Sequence, residues 1–359
     1  MSIKKISISN FRCFNSVDLE FSKLNNFIHG ANGSGKTSVL EALYFCSTGR
    51  SFKSSNKNLC IQNDKEAFKI QVETQNNNKI CVLKEAKKSI SLEIDEKKAT
   101  SIELFRTIPS TLLDNKIFSM FADTPKYRRK ILDRCLMASD KNYGKDFFSF
   151  HRSLKQRNAA LKFKRLTNID MWSEIFINTG TSISEKRNNF FKETKQTFFK
   201  FAEYLSDKRV LQIINSLEIL FYQGWTTNHS LKQVLELNRD SDQRKTSTSS
   251  GPHRADIKFL INDSDIKYIL SRGEQKFMSI LWCLSMHKTL SDFYGISPFL
   301  IIDDIHSELD EDFYSELINF LPKTGNQLFF SDISNPFNSK IKDQLKELKK
   351  FHVEQFTNA

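Results

Sequence analysis

Gly30-Ala31-Asn32-Gly33-Ser34-Gly35-Lys36-Thr37 is the stretch from which the rest of this 359-residue chain can be read. It fits the spacing G-x-x-x-x-G-K-[ST]. The apolar run Asn26-Phe27-Ile28-His29 precedes it, and Ser38-Val39-Leu40-Glu41-Ala42-Leu43, a good helix former, follows. Glycines let the backbone curl into a nest whose N–H groups point at phosphate oxygens, and the start of the helix adds partial positive charge at the same place. Lys36 is expected to reach the β- and γ-phosphates of a nucleotide, and the Thr37 hydroxyl to complete the shell of a Mg²⁺ ion. Gly30, Ala31, Asn32, Gly33, Ser34, Gly35, Lys36, Thr37 and Ser38 are thus the candidate nucleotide-binding residues.

A phosphate loop alone does not separate a kinase from a GTPase, a helicase or a transporter motor, whereas the C-terminal third of the chain does. Phe299-Leu300-Ile301-Ile302-Asp303-Asp304 has the form of a buried strand ending in two carboxylates. Asp303 would hold Mg²⁺ through its water, and Asp304 sits where a general base would polarise the attacking water. Ser307-Glu308-Leu309-Asp310 has the S-x-L-D form of a D-loop, with Ser307 and Asp310 as its candidates. Upstream, Leu270-Ser271-Arg272-Gly273-Glu274-Gln275-Lys276 opens a helix running to about Leu290. Read alone, Ser271 to Gln275 is also an ordinary Ser N-cap with an acid near the first turn. Its order between the loop and the acidic strand favours the functional reading.

Composition bounds the rest. Apolar residues make up 39% and charged residues 27%, enough for a sizeable core and two or three domains. The N-terminal Met1-Ser-Ile-Lys-Lys-Ile-Ser-Ile-Ser alternates like a strand and lacks the apolar run of a signal peptide. No apolar run approaches the ~20 residues of a membrane span, so a cytoplasmic protein is expected. Six scattered cysteines, with no C-x-x-C pair, suggest reduced thiols and no zinc site. Between Pro125 and Pro252 there is no proline, and Phe147, Phe150, Leu154, Leu161, Trp172, Phe176, Ile183, Phe190 and Phe198 recur at helical spacing. The flanks show short, strand-like alternation instead. The expected organisation is an N-terminal part of the phosphate-loop domain over 1–119, a helical arm over 120–240, and the C-terminal part of the first domain over 241–359. The polar segment Arg239 to Ser250 is expected to be a loop.

Taken together and in order, the phosphate loop, the L-S-x-G-E/Q segment, the strand ending in Asp303-Asp304 and S-E-L-D resemble the ATP-binding-cassette (ABC) ATPases, in particular their SMC-like branch. Longer blocks resemble the RecF family of bacterial recombination mediators over nearly the whole chain: Asn10-Phe11-Arg12-Cys13-Phe14, Gly30 to Leu43, Gly49-Arg50-Ser51-Phe52-Lys53, Pro125 to Asp133, Leu154 to Leu161 and Gly251-Pro252-His253-Arg254-Ala255-Asp256. The resemblance implies an α/β, ABC-type head with an inserted, mainly α-helical arm. It implies ATP and Mg²⁺ as cofactors, and a homodimer that forms on ATP and binds DNA. It further implies a role in gap repair, fork restart and the SOS response, with RecO and RecR as partners in loading RecA on single-stranded DNA. Ser271, Arg272, Gly273, Glu274 and Gln275 would complete the partner's ATP site in trans, and Arg12 matches a position that approaches the nucleotide phosphates.

Two departures stand out. Asp304 replaces the Glu of many cassette ATPases, and after Gln327-Leu328-Phe329-Phe330 stand Ser331-Asp332 with no switch histidine. Asp114-Asn115 is the nearest candidate for the glutamine-bearing loop. Missing groups of this kind can each cost ~10²-fold, so slow, switch-like, DNA-stimulated hydrolysis is expected. The alternative, a transporter's nucleotide-binding subunit, shares the core motifs but would lack a long basic insertion. The chain carries 54 Lys plus Arg against 42 Asp plus Glu, and from 120 to 210 the balance is 20 against 10, so the arm holds nearly all of the +12. By charge, Lys126, Arg128, Arg129 and Lys130, with Lys162, Lys164 and Arg165, are the candidate DNA contacts, although a charge run is also the ordinary form of a solvated face.

Overall fold

The computed structural model describes residues 2–122, 124–163, 169–305, 309–332, 345 and 347–356. The chain forms two units: Met1–Phe118 with Tyr204–Asp207 and Arg272–Ala359, and Ser119–Glu203 with Lys208–Ser271.

The first unit opens with β1 (Ile3–Phe11), β2 (Phe14–Glu20), β3 (Asn25–His29), α1 (Lys36–Thr48), β4 (Ala67–Thr74), β5 (Lys79–Glu85), β6 (Ser91–Ile94), β7 (Lys97–Lys98), α2 (Ser101–Thr107) and β8 (Ser110–Leu113). An antiparallel sheet has the order β2-β1-β4-β5-β6-β7. Its register sets Ile6 against Leu19 and Val72, and Ile8 against Val17 and Ile70, so the alternating apolar positions fall on one buried face. α1 is buried on nearly every side, which explains its lack of a polar stripe. The Thr100–Glu103 capping box starts α2.

The second unit comprises α3 (Ser119–Ala122), α4 (Pro125–Ser139), α5 (Tyr143–Lys162), α6 (Ile169–Ala202), α7 (Lys208–Ser216), β9 (Leu217–Tyr222), α8 (Leu231–Leu237), α9 (Arg239–Lys245), β10 (Asp256–Ile261) and β11 (Ser264–Asp265). Phe150, Phe176, Ile183, Phe190 and Phe198 are fully buried, as their helical spacing requires. Two expectations change here. Arg239–Lys245 is helical, because Asp242 turns inward to accept from Arg157 Nη1 at 2.9 Å and from Ser249 Oγ at 2.6 Å. The unit also extends to Ser271 and not to 240, because β10 pairs antiparallel with β9 and with β11 in a small sheet of order β11-β10-β9.

The chain re-enters the first unit with α10 (Arg272–Tyr294), β12 (Phe299–Asp303), α11 (Glu311–Phe320), β13 (Leu328–Asp332) and β14 (Leu348–His352). These strands complete a parallel sheet of order β14-β3-β13-β12-β8. Every residue of β12 is buried, the pattern of a central parallel strand.

Candidate nucleotide site

β3 leads into the glycine loop and α1 leads out of it, with Gly30, Gly33 and Gly35 at φ of 154°, 79° and 111°. Gly35 is required twice over. Its backbone lies where side chains are disfavoured, and a Cβ would meet Cys13 Sγ and the Phe14 ring at 2.7 Å. Lys36 is only 8% exposed, and its Nζ donates to the carbonyls of Gly30 at 2.7 Å and Ala31 at 3.0 Å. Ser34 Oγ is buried with no hydrogen-bond partner among the described residues. A buried hydroxyl ordinarily has a partner, and a polyphosphate oxygen over the loop would supply one. The loop therefore fits a nucleotide's phosphates.

β13 lies between β3 and β12, and side chains from α1, β12 and β13 converge at the C-terminal ends of these strands. Thr37 Oγ1 donates to Asp303 Oδ1 at 3.0 Å, and Ser331 Oγ donates to the same oxygen at 2.9 Å. The backbone N–H of Asp304 donates to Ser331 Oγ at 3.3 Å. Burial raises the Asp303 carboxyl above its ordinary range, against the lowering influence of the Ser331 and Thr37 hydrogen bonds and the charge of Lys53. A hydroxyl and a carboxylate side by side are hard oxygen donors, so Thr37 and Asp303 fit Mg²⁺. Asp304 has φ 49°, a left-handed turn that costs a non-glycine about 1–3 kcal/mol and marks where β12 ends.

Leu113 of β8 lies opposite Ile302, so Asp114 leaves the sheet beside Asp303. Burial raises the Asp114 carboxyl, and the charge of Asp303 adds to this. Asp114 is thus the neighbour of the acid pair from the β8 side, and Ser331 stands near the end of β13, where other cassette ATPases carry a switch histidine.

Arg12, which the resemblance places near the nucleotide phosphates, is paired within the protein. Its Nε and Nη2 donate to Glu41 at 2.8 and 2.7 Å, and its Nη1 donates to the Leu59 carbonyl at 2.8 Å. Glu41 is fully buried on α1 and also accepts from Ser51 Oγ. Arg12 thereby ties β1 and the 51–60 segment to the helix that starts at the phosphate loop.

Ser271 and Arg272 are exposed where the chain passes between units, and Gly273, Glu274 and Gln275 form the first turn of α10. Asp310 caps α11 by accepting from the Phe313 backbone N–H at 2.9 Å. A Cβ on Gly273 would lie 3.7 Å from Asp310 Oδ2, so the signature segment and the acid of the D-loop meet. Ser307 lies outside the described residues.

The candidate DNA contacts divide. Arg128 donates to Asp256 from Nε at 2.7 Å and from Nη2 at 3.0 Å, and Arg129 Nη1 donates to the Ala255 carbonyl. Arg128 thus joins α4 to β10, and Arg129 joins α4 to the residue just before β10. Lys126, Lys130 and Lys162 are exposed, and Lys164 and Arg165 lie outside the described residues. Sequence reasoning missed Glu41 and the bridging role of Ser331. Glu41 lies in the "LEAL" run of α1 and Ser331 in the Ser331-Asp332 pair, yet no periodicity or spacing ties either to its partner.

A phosphate loop after one parallel strand, an acid pair ending the strand two places away, an antiparallel lobe and an inserted second unit define an ABC-type head of the SMC-like kind. The family described as "RecF/RecN/SMC N terminal domain" matches residues 2–355. The "DNA replication and repair protein RecF" of Pseudoalteromonas translucida (strain TAC 125) is 33% identical over 363 residues, covering 98% of each chain. This chain belongs to the RecF family. Among solved structures, the recombination mediator protein RecF-ATP in the RecFOR pathway superposes with a TM-score of 0.80 at 27% identity, over 98% of this chain and 96% of that one. An Smc head bound to the C-winged helix domain of ScpA shares the fold, with a TM-score of 0.57 at 14% identity over 98% of this chain and 94% of that one.

Proposed function

We propose that this chain binds and slowly hydrolyses ATP, dimerises when ATP is bound, and in that state holds DNA during gap repair, replication-fork restart and the SOS response, acting with RecR and RecO to load RecA on single-stranded DNA. The observation that carries the reading is the 3.0 Å contact between Thr37 of the phosphate loop and Asp303 of β12, which makes one site from segments far apart in sequence. The RecF-ATP structure of a relative matched over 98% of this chain supports ATP as the nucleotide. Similarity to RecF proteins along the whole chain weighs against the transporter alternative.

In this reading Lys36, the Ser34 hydroxyl and the loop N–H groups neutralise the β- and γ-phosphate oxygens. Mg²⁺, held by Thr37 and Asp303, would add charge stabilisation at the same oxygens. Water attacks the γ-phosphorus, its proton passes to Asp304, and the bond to the β–γ bridging oxygen breaks, leaving ADP and phosphate. Asp304 is one methylene shorter than Glu, and Ser331 provides a hydroxyl where an imidazole would reach further. Both features favour slow turnover, with ATP acting as a switch. In the ATP-bound dimer the exposed Ser271 and Arg272 would cap the γ-phosphate held by a second copy.

The test is a DNA-binding titration with ATP, ADP or no nucleotide at several salt concentrations, alongside Ser271→Arg. Tight, salt-sensitive binding with ATP alone is expected, and Ser271→Arg should keep ATP affinity within about twofold while losing the dimer and DNA retention. Binding independent of nucleotide would refute the switch.

A further inference from the structure

α5 buries Tyr143, Phe150, Ser153, Arg157, Ala160 and Leu161 on one side. On the other side Lys145, Phe148, Arg152, Lys155 and Lys162 follow one another at intervals of three, four, three and seven residues, so they share one face, and all five are exposed. At 1.5 Å per residue the row runs for about 26 Å. It is basic throughout. The one acid on the helix, Asp146, points elsewhere and accepts from Ser182 Oγ at 2.8 Å and Lys186 Nζ at 3.1 Å. Lys145, Arg152, Lys155 and Lys162 make no ion pair among the described residues, so nothing described here neutralises the row.

Phe148 stands in the middle of these cations with 57% of its surface exposed. Its ring meets the Phe147 ring edge-on, with centres 5.8 Å apart, and most of its surface faces solvent. Phe163, 65% exposed, ends the helix with the Lys162 ammonium 5.9 Å from its ring centre. Cations alone would suit any phosphate backbone. Cations interleaved with an exposed ring suit a strand whose bases are unpaired, because in a duplex the base faces are already stacked on each other.

We infer that the outer face of α5 is a binding track for single-stranded DNA, in which Lys145, Arg152, Lys155 and Lys162 follow the phosphates and the Phe148 ring stacks on a base. This rests on the DNA-binding reading above and deepens it, adding a surface and a strand preference. An acidic protein segment is the competing occupant, and it would use the cations without needing an aromatic ring.

The experiment is fluorescence anisotropy of the full-length protein, with and without ATP, on a labelled oligo-dT and on a blunt duplex of equal length. Phe148→Ala should weaken oligo-dT binding about tenfold and leave duplex binding within about twofold, and Phe148→Tyr should restore the loss. The triple change Lys145→Glu, Arg152→Glu, Lys155→Glu should flatten the salt dependence on oligo-dT by roughly 0.7 in log–log slope per lost phosphate contact. Because all these positions are exposed, thermal unfolding should match that of the unaltered protein. Unchanged oligo-dT binding by Phe148→Ala, or equal loss on both DNAs, overturns the track. If the unaltered protein meanwhile retains DNA only with ATP, the proposed function stands without it. Binding of oligo-dT through Phe148 that ignores ATP keeps the track and removes the switch, and no binding by the unaltered protein removes both.

Discussion

Arg12 shows how much a single side chain's partner decides. The family resemblance places it at a position that approaches the nucleotide phosphates, and in the structure its guanidinium is paired with a carboxylate that has no access to water. Removing one member of such a pair leaves the other charge buried, at a cost of about 3–5 kcal/mol. Arg12→Ala should therefore lower the urea midpoint markedly, and adding Glu41→Gln should recover part of the loss. A fall in ATP affinity with unchanged stability would return Arg12 to the phosphates. Asp304 makes the complementary case, because its chemistry and not its packing is at stake. Asp304→Asn should slow ATP hydrolysis about 10²-fold or more and prolong the life of the DNA-bound dimer. An unchanged single-turnover rate would take the base role away from it.

At the scale of elements, the distinctive blocks Pro125 to Asp133, Leu154 to Leu161 and Gly251 to Asp256 all contribute ties inside the second unit. Arg187 of α6 donates to both oxygens of Asp133 on α4, at 2.8 and 2.9 Å, and to the Pro252 carbonyl at 2.7 Å, and Tyr143 of α5 donates to Asp133 at 2.5 Å. Burial acts to lower the Arg187 guanidinium, but the charges of Asp133 and Tyr143 and the hydrogen bonds to both together more than offset it and hold Arg187 charged beyond its ordinary range. Arg157 of α5 forms another buried ion pair, donating to Asp242 at 2.9 Å. Asp133→Ala should destabilise this unit by about 3–5 kcal/mol, read as an earlier transition in hydrogen exchange of α4 to α6. A loss within the ~1 kcal/mol of a surface pair would show that water reaches the site. Helical periodicity made α5 and α6 legible. It could not reveal which cations were inside, because Arg128 and Lys130 differ by only two positions along the same basic run, one paired and one exposed.

For the molecule as a whole, two histidines set a pH response. His287 is buried in α10, where Asn326 Nδ2 donates to its Nε2 at 2.8 Å and its Nδ1 lies 2.9 Å from Thr111 Oγ1, and burial pushes it down to about 3. His253, in the second unit, donates to the Thr248 carbonyl and is pushed down to about 4, again chiefly by burial. Both folded values lie below the unfolded value of about 6.5, so the unfolded chain binds the extra protons as pH falls. The stability these neutral rings contribute is complete above about pH 6.5 and is lost as pH falls toward 4 and 3, at about 1.4 kcal/mol per pH unit for each ring. Urea midpoints at pH 7.5, 6 and 5 should decline accordingly, and His287→Gln should reduce the slope of the first unit. A flat profile over that range would mean that the rings are hydrated.

The phosphate loop, the two-acid strand, the signature segment and the helical stretch were all legible in the sequence, because each depends on local geometry: glycine backbone freedom, strand alternation or the turn of a helix. Those are set by residues close together in the chain, and they suffice to give the fold class and to point to the candidate nucleotide site. The partners of charged groups were decided by tertiary structure alone. Glu41 for Arg12, Asp256 for Arg128, Ser331 for Asp303, and the return of β10 to β9 all join residues tens to hundreds of positions apart. A charge reads the same in sequence whether it ends in water or against a buried counter-charge, and only folding determines which.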